Sequence, residues 1–258
     1  MRRTGWAVLA VVMGLLLSGV APATASAPTL PPTGTDFDYQ LGGKAPLPAN
    51  VGIVVRDRSA KPAKHAYSIC YVNGFQTQPD EKRFWRHRHP RLLLRDHGRP
   101  VQDDAWGEWL LDIRTPAKRK ALAAIMGRWV KGCANDGYQG VEFDNLDSFT
   151  RSHHLLKARH AKKYARLLVR AAHRNGLAVA QKNRAGWDGT TVGYDFAIAE
   201  ECGRWRECRA YVDDYGDQVL VVEYRRKDFR FTCRHWGDRL AVVLRDLDLT
   251  PDGVHDYC

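Results

Sequence analysis

Three carboxylates and an amide, Glu142, Asp144, Asn145 and Asp147, crowd into the eight residues from Gly140 to Asp147 (GVEFDNLD), on a segment that otherwise reads as a buried strand. Ionised carboxylates are costly to bury unpaired, so a purely structural cluster would need several dedicated cations or donors close by. Chemistry is the better account of Asp144 in particular. On a strand, alternate side chains face the same way. Glu142 and Asp144 therefore share one side, with Glu142 a layer deeper, and Asn145 and Asp147 fall where the strand runs out into a loop. Glycoside hydrolysis needs two carboxyl groups across the scissile bond: one protonated to release the leaving oxygen, one ionised as nucleophile or as base for water. The second is expected within Phe196 to Cys202, where Glu200 and Glu201 follow an apolar run. Glu200 is preferred, because Glu201 abuts Cys202 and the turn.

Other apolar runs also end in polar groups: Gln40, Asp57, Tyr71 with Asn73, Asp112, Lys182 with Asn183, and Glu223 with Tyr224. Any one of them could be a helix cap or a surface ion pair, but in a β/α barrel the strand ends converge on one face. A ring that is acidic on balance and interleaved with amides and aromatic rings suits a carbohydrate, whose hydroxyls need bidentate acceptors and whose faces rest on rings. The expected substrate-binding set is Gln40, Tyr71, Asp112, Glu142, Asn145, Lys182, Asn183, Glu223 and Tyr224, around the catalytic pair Asp144 and Glu200. No Gly-x-Ser-x-Gly elbow points to an esterase, and no Gly-x-Gly-x-x-Gly or P-loop pattern follows the first strands. Neither Cys-x-x-Cys nor His-Glu-x-x-His spacing occurs, so no metal and no cofactor is expected. His153 and His154 read as polar loop surface.

These residues must be held by strands, and the candidates are Phe37 to Leu41, Val51 to Arg56, Tyr67 to Val72, Trp109 to Ile113, Gly140 to Asp144, Ala178 to Lys182, Phe196 to Glu200, Val219 to Glu223 and Ala241 to Leu244. Most are continuous apolar runs, as strands buried on both faces should be. Between them, Ala117 to Val130 keeps Leu122, Ile125, Met126 and Trp129 at helical spacing, with Pro116 at an early position and Gly132 as the stop. Ala158 to Asn175 repeats the pattern and closes at Asn175-Gly176. Shorter helices are expected over Trp205 to Tyr211 and Lys227 to Trp236. Strand and helix alternation with a strand number near eight predicts an α/β fold, a single (β/α)8 TIM-like barrel over residues 36–258, with a doubly wound open sheet as the alternative.

Arg2 and Arg3, the apolar run Trp6 to Val20 and the small residues Ala25-Ser26-Ala27 read as a secretory signal peptide over residues 1–27, followed by a Pro/Thr-rich linker over 28–35. No later segment is apolar enough to span a bilayer, so an extracellular protein with no membrane contact after cleavage is expected. Six cysteines remain, an even number that favours disulfides in an exported chain. Short separation pairs Cys202 with Cys208 and Cys233 with Cys258, leaving Cys70 for Cys133. The formal net charge is +11, two units of which leave with Arg2 and Arg3. Such a protein is drawn to polyanions, and anionic cell-wall polymers are the expected partners of its basic surface. The densest basic run, Arg86 to Arg91 with Arg95, His97 and Arg99 behind it, reads as a solvated face rather than a nucleic-acid site, since export removes most nucleic-acid partners. A monomer is expected.

The stretches Phe37 to Gly42 (FDYQLG), Tyr67 to Tyr71 (YSICY), Trp109 to Arg114 (WLLDIR), Gly140 to Asn145 (GVEFDN), Lys182-Asn183, Glu200-Glu201-Cys202 with Glu207-Cys208, and Val222-Glu223-Tyr224 resemble, in that order, glycoside hydrolase family 114, the endo-α-1,4-polygalactosaminidase-like β/α barrels. The resemblance implies a barrel fold, endo-hydrolysis of an α-linked amino-sugar polysaccharide, and a catalytic pair that falls on Asp144 and Glu200. Two positions depart from the family pattern: Phe143 stands where Pro is expected, and Ala199 where Asn is expected. A non-catalytic glycan- or cell-wall-binding protein on the same barrel is the competing reading, and a polyanion-binding protein using Arg86 to Arg99 is a third.

Overall fold

The structure, a computed structural model, describes residues 27–258; the signal peptide expected over residues 1–27 lies, but for its last residue, outside them. Eight runs rich in Val, Ile, Ala and aromatic residues form the strands: β1 (Asp36–Gln40), β2 (Val51–Asp57), β3 (Tyr67–Asn73), β4 (Gly140–Asp144), β5 (Ala178–Lys182), β6 (Phe196–Glu200), β7 (Val219–Glu223) and β8 (Ala241–Arg245). Each pairs in parallel with the next in sequence order. A last strand, β9 (His255–Tyr257), adds antiparallel to β8. The expected β/α barrel is borne out, and the open-sheet alternative is set aside. The ring is nearly closed.

Its seam is held by a side chain. β8 lies beside β1, and the fully buried Arg245 at the end of β8 donates to Asp38 Oδ1 at 3.0 Å and to the carbonyl of Tyr39 on β1. The same guanidinium donates to the carbonyls of Thr250 and Val254, tying in the segment that leads to β9. A buried guanidinium is tolerable only when its donors are met, and here four acceptors meet them.

Two apolar layers follow from the two faces of the strands. Phe37, Tyr39, Ile53, Val55, Ile69, Tyr71, Phe196, Ile198, Leu220, Val222 and Val243 fill the barrel. Val72, Val141, Phe143, Val179, Ala197, Ala199, Val221 and Val242 face the surrounding helices. Strands buried on both sides explain why the runs are continuous rather than alternating. Phe143 and Ala199, the two departures from the family pattern, thus sit in the outer layer.

The helices are α1 (Lys82–Arg88), α2 (Pro116–Asp136), α3 (Ala158–His173), α4 (Cys202–Trp205), α5 (Cys208–Tyr215) and α6 (Arg226–Trp236). α2 starts where Thr115 Oγ1 accepts from the Lys118 amide, with Pro116 in the first turn. It runs past the expected stop at Gly132 and through Cys133, which is bonded to Cys70 on β3, and it ends instead at Gly137 with φ 99°. All three expected disulfides are present: Cys70–Cys133, Cys202–Cys208 and Cys233–Cys258.

One expected strand is corrected. Trp109 to Ile113 does not enter the barrel; Glu108–Trp109 forms a two-residue antiparallel ladder with Gln102–Asp103, and Leu110 and Leu111 make isolated bridges to Gln76 and Leu93. An apolar run can be buried beneath a long connection as well as within a sheet, and periodicity does not separate the two. None of the described helices is long and apolar enough to cross a membrane.

Candidate active site

The carboxyl ends of the strands open into a cleft of about 810 Å³. Three consecutive strands deliver its central groups. β4 ends on Asp144, β5 on Lys182 and β6 on Glu200, with Asn145, Asn183 and Glu201 just beyond, all three at positive φ (66°, 53° and 57°). Asn adopts the left-handed region at little cost, whereas Glu201 does so against preference, a kind of outlier that gathers at functional sites.

Lys182 is the hub. Its ammonium lies 2.9 Å from Glu142, 3.3 Å from Asp144 and 3.2 Å from Glu200, and donates to Tyr39 Oη at 2.9 Å. Three N–H donors cannot serve four acceptors at full strength, so the two longer contacts toward the cleft are shared. The oxygens of Asp144 and Glu200 that Lys182 touches lie no more than 6.5 Å apart, the limit set by those two distances.

Each carboxylate has its own further partners. Asp144 accepts from Tyr71 Oη at 2.8 Å and from the Asn145 amide at 2.7 Å. Burial raises its pKa, but Lys182, the Tyr71 hydroxyl and the Asn145 amide together outweigh burial and hold it below the ordinary value. Glu200 accepts from Asn183 Nδ2 at 2.9 Å and from the Tyr224 hydroxyl, while its own amide donates back to Asn183 Oδ1 at 2.8 Å. Glu142 lies fully buried beneath the cleft, accepting from Tyr39 Oη at 2.7 Å. Burial first, and the Asp144 charge, push its pKa up to about 7 against the opposing pull of Lys182.

Of the expected binding residues, Tyr71, Asn145, Lys182, Asn183 and Tyr224 line the cleft around Asp144 and Glu200, and Glu142 underlies it. Three do not reach it. Gln40 is buried at the β1–β2 step, where its amide donates to Asp38 and the Ala45 carbonyl and accepts from Arg56. Asp112 is held by Arg114 at 2.7 Å and Lys118 at 2.5 Å at the start of α2, because its segment is not a barrel strand. Glu223 lies one residue out of phase with the barrel interior and points outward, where it accepts from the Gly203 amide at 2.7 Å and the Thr232 hydroxyl at 3.0 Å.

Other residues complete the site without a sequence signal of their own. Glu108 accepts from Asn73, Gln76 and Asn145 at 2.8, 2.8 and 3.1 Å. Arg151 ties Asp103, Gln76, Asn145 and Asp147 together. Trp106 and Trp205, with 55% and 60% of their surface exposed, stand on the cleft wall. A large ring left in solvent is the one clue that loop composition alone could have offered.

The sequence matches the model of glycoside-hydrolase family GH114 over residues 18–258. The chain belongs to glycoside hydrolase family 114. A search of curated proteins returns no match. Among solved structures, Aspergillus fumigatus Ega3 in complex with galactosamine is similar at 20% identity and a TM-score of 0.71, covering 92% of this chain and 100% of that one. The glycoside hydrolase domain of PelA from Pseudomonas aeruginosa is similar at 17% identity and a TM-score of 0.55, covering 87% and 99%. At these identities both likenesses are likenesses of fold. The members of the family are glycoside hydrolases, and this chain carries the barrel on which that activity is built.

Proposed function

We propose that this family 114 hydrolase is an exported, endo-acting enzyme that cleaves an α-linked amino-sugar polysaccharide, with Asp144 and Glu200 as its catalytic carboxylates. The observation that carries the reading is the placement of these two groups on either side of Lys182 at the floor of one cleft. Asp144, held ionised, is the nucleophile, and Glu200 is the acid that protonates the leaving oxygen. A distance of at most 6.5 Å between the oxygens that share Lys182 supports both carboxyl groups acting on one glycosidic bond. Lys182 neutralises part of the charge between them, so that both can stand close in the resting enzyme.

The galactosamine held by the Ega3 structure and the charge of the cleft support an amino sugar. Asp103, Glu108, Asp144, Asp147, Glu200, Glu201, Glu207 and Asp248 line it against Lys182, Arg151 and Arg184. A deacetylated amino-sugar polymer is cationic, and this acidic excess attracts it although the protein as a whole is basic. Export is supported by the disulfide bonding of all six cysteines, which an oxidising compartment maintains.

A reducing-end assay on α-1,4-galactosamine polymers, acetylated and deacetylated, tests the reading. Asp144→Asn and Glu200→Gln should each lower kcat by about 10²–10⁴-fold, while Glu201→Gln, whose carboxylate is occupied by Arg204 at 2.7 Å, should change it little. Proton NMR of the first product formed distinguishes a nucleophilic Asp144, which retains the anomer, from a general-base Asp144, which inverts it. Binding without turnover in the unmodified protein would favour the glycan-binding alternative instead.

A further inference from the structure

Outside the cleft, the segment from Lys82 to Pro100 carries cations that form no ion pair and border grooves. Between Lys82 and Pro100 there are seven Lys and Arg residues against one acid, Asp96. Asp96 is taken by His153 at 2.9 Å and His97 at 3.6 Å. Among the described residues, Arg83, Arg86, Arg88, Arg91, Arg95 and Arg99 form no ion pair; Arg159, Arg166, Arg170 and Arg174 on or just after α3 are likewise unpaired, but the run on α1 and the turn after it borders grooves. A folded surface ordinarily intersperses its charges; leaving this run of arginines uncompensated on α1 and the turn after it costs self-repulsion. His89, within the run, is held below its ordinary pKa by burial and by the Arg128 and Arg88 charges.

The arginines border two shallow grooves. Arg83, Phe84, His87 and Arg88 line one of about 560 Å³, and Pro90, Arg91, Leu93, Arg95, Arg114 and Lys118 border another of about 420 Å³, whose one acid, Asp112, is already paired with Arg114 and Lys118. Neither groove shares a lining residue with the catalytic cleft. Guanidinium groups present a planar fork suited to the paired oxygens of a phosphate.

We infer that this face is a second binding site, an anchor for an extended cell-surface polymer with repeating phosphodiester groups, laid along the two grooves while the acidic cleft takes the amino-sugar chain. Several arginines spread over two grooves fit a repeating polyanion better than a single small anion. A lipid surface is a poorer occupant, because the exposed large apolar residues, Leu30, Trp106, Trp205 and Leu247, are none of them on this face. Unstacked nucleic-acid bases are poorer too, since the face has no exposed aromatic platform: Phe84 packs against Trp85 and Trp129.

The test is binding of soluble poly(glycerol phosphate) to the full protein across a range of salt. Arg83→Gln, Arg88→Gln, Arg91→Gln and Arg95→Gln combined should weaken it by roughly thirty-fold or more at low salt and flatten the salt dependence by about one contact per arginine removed. A control lacking as many exposed, unpaired cations on α3 (Arg159→Gln, Lys163→Gln, Arg166→Gln and Arg170→Gln) should lose far less. Thermal melting of both variants checks that the fold is kept, and hydrolysis of short oligosaccharides should be unchanged in the first. Equal loss in the two variants would mean diffuse attraction and no site. Tighter binding of a single-stranded oligonucleotide of matched charge would overturn the choice of occupant.

Discussion

Lys182 is the residue on which the site's charge balance turns. Burial alone would lower its pKa, but Asp144, Glu142 and Glu200 outweigh that and hold it well above its ordinary value. It therefore stays charged and keeps Asp144 ionised from below. Lys182→Met removes that cation, so the pKa of Asp144 rises and the acidic limb of the kcat/KM profile should move to higher pH by about one unit or more. Stripping one partner from a buried charge cluster should also cost about 3–5 kcal/mol of stability. A pH–rate profile beside a denaturation curve separates the effects. An acidic limb that stays in place would mean that Lys182 supports the fold without setting the ionisation of Asp144.

At the scale of elements, Glu223 on β7 fastens α4 and α6 to the barrel. Gly203, the second residue of α4, comes so close that a Cβ there would lie 1.7 Å from Thr232 Oγ1 on α6 and 2.7 Å from Glu223 Oε1, so only glycine fits. The disulfide Cys202–Cys208 closes this same loop, which carries Trp205 to the cleft. Burial chiefly, opposed by the Gly203 amide and the Thr232 hydroxyl, pushes the pKa of Glu223 up to about 7. Its folded form thus holds a proton that the unfolded chain releases near pH 4.5. The associated stability is fully present below that value and is lost as pH rises toward 7, on the order of 3 kcal/mol across the window. Glu223→Gln should flatten this decline in denaturation curves taken between pH 4.5 and 7.5. An unchanged slope would assign the pH dependence to another group.

Over the whole molecule, charge is divided rather than spread. The formal excess is +11, yet the cleft is acidic, and unpaired arginines lie outside it, between Arg83 and Arg99 and along α3. The two fields make opposite demands on a cationic polymer. If the cleft dominates at the point of binding, salt screens an attraction and KM for deacetylated polymer should rise with ionic strength; if the net charge dominates, salt screens a repulsion and KM should fall. We expect the rise, measured between about 20 and 300 mM salt, where the Debye length shortens from roughly 20 to 6 Å. The acetylated polymer, carrying no charge, should show little change.

The barrel, the strands that end on Asp144 and Glu200, and two of the three cysteine pairs were legible in the sequence because each rests on local pattern; Cys70 and Cys133, 63 residues apart, paired only as the remainder. Apolar runs at regular intervals, helices with caps and glycine stops, and cysteines close in the chain need no knowledge of distant partners. Asp144 and Glu200 stood out for the same reason: carboxylates at the ends of buried runs are costly unless used. What tertiary structure alone decided was phase and company. Glu223 ends an apolar run as Glu200 does, but its strand is offset by one residue, and period-2 alternation turns it to the outer layer. Asp112 lies on an apolar run that is buried under a connection and never joins the sheet. Glu108, Arg151 and Trp106 come from long connections without periodicity, Trp205 ends the four-residue α4, and the meeting of Lys182 with three carboxylates from two other strands depends on barrel closure. Local pattern records which residues are buried and which are spent at strand ends; which of them face one another is set by packing between segments far apart in the chain.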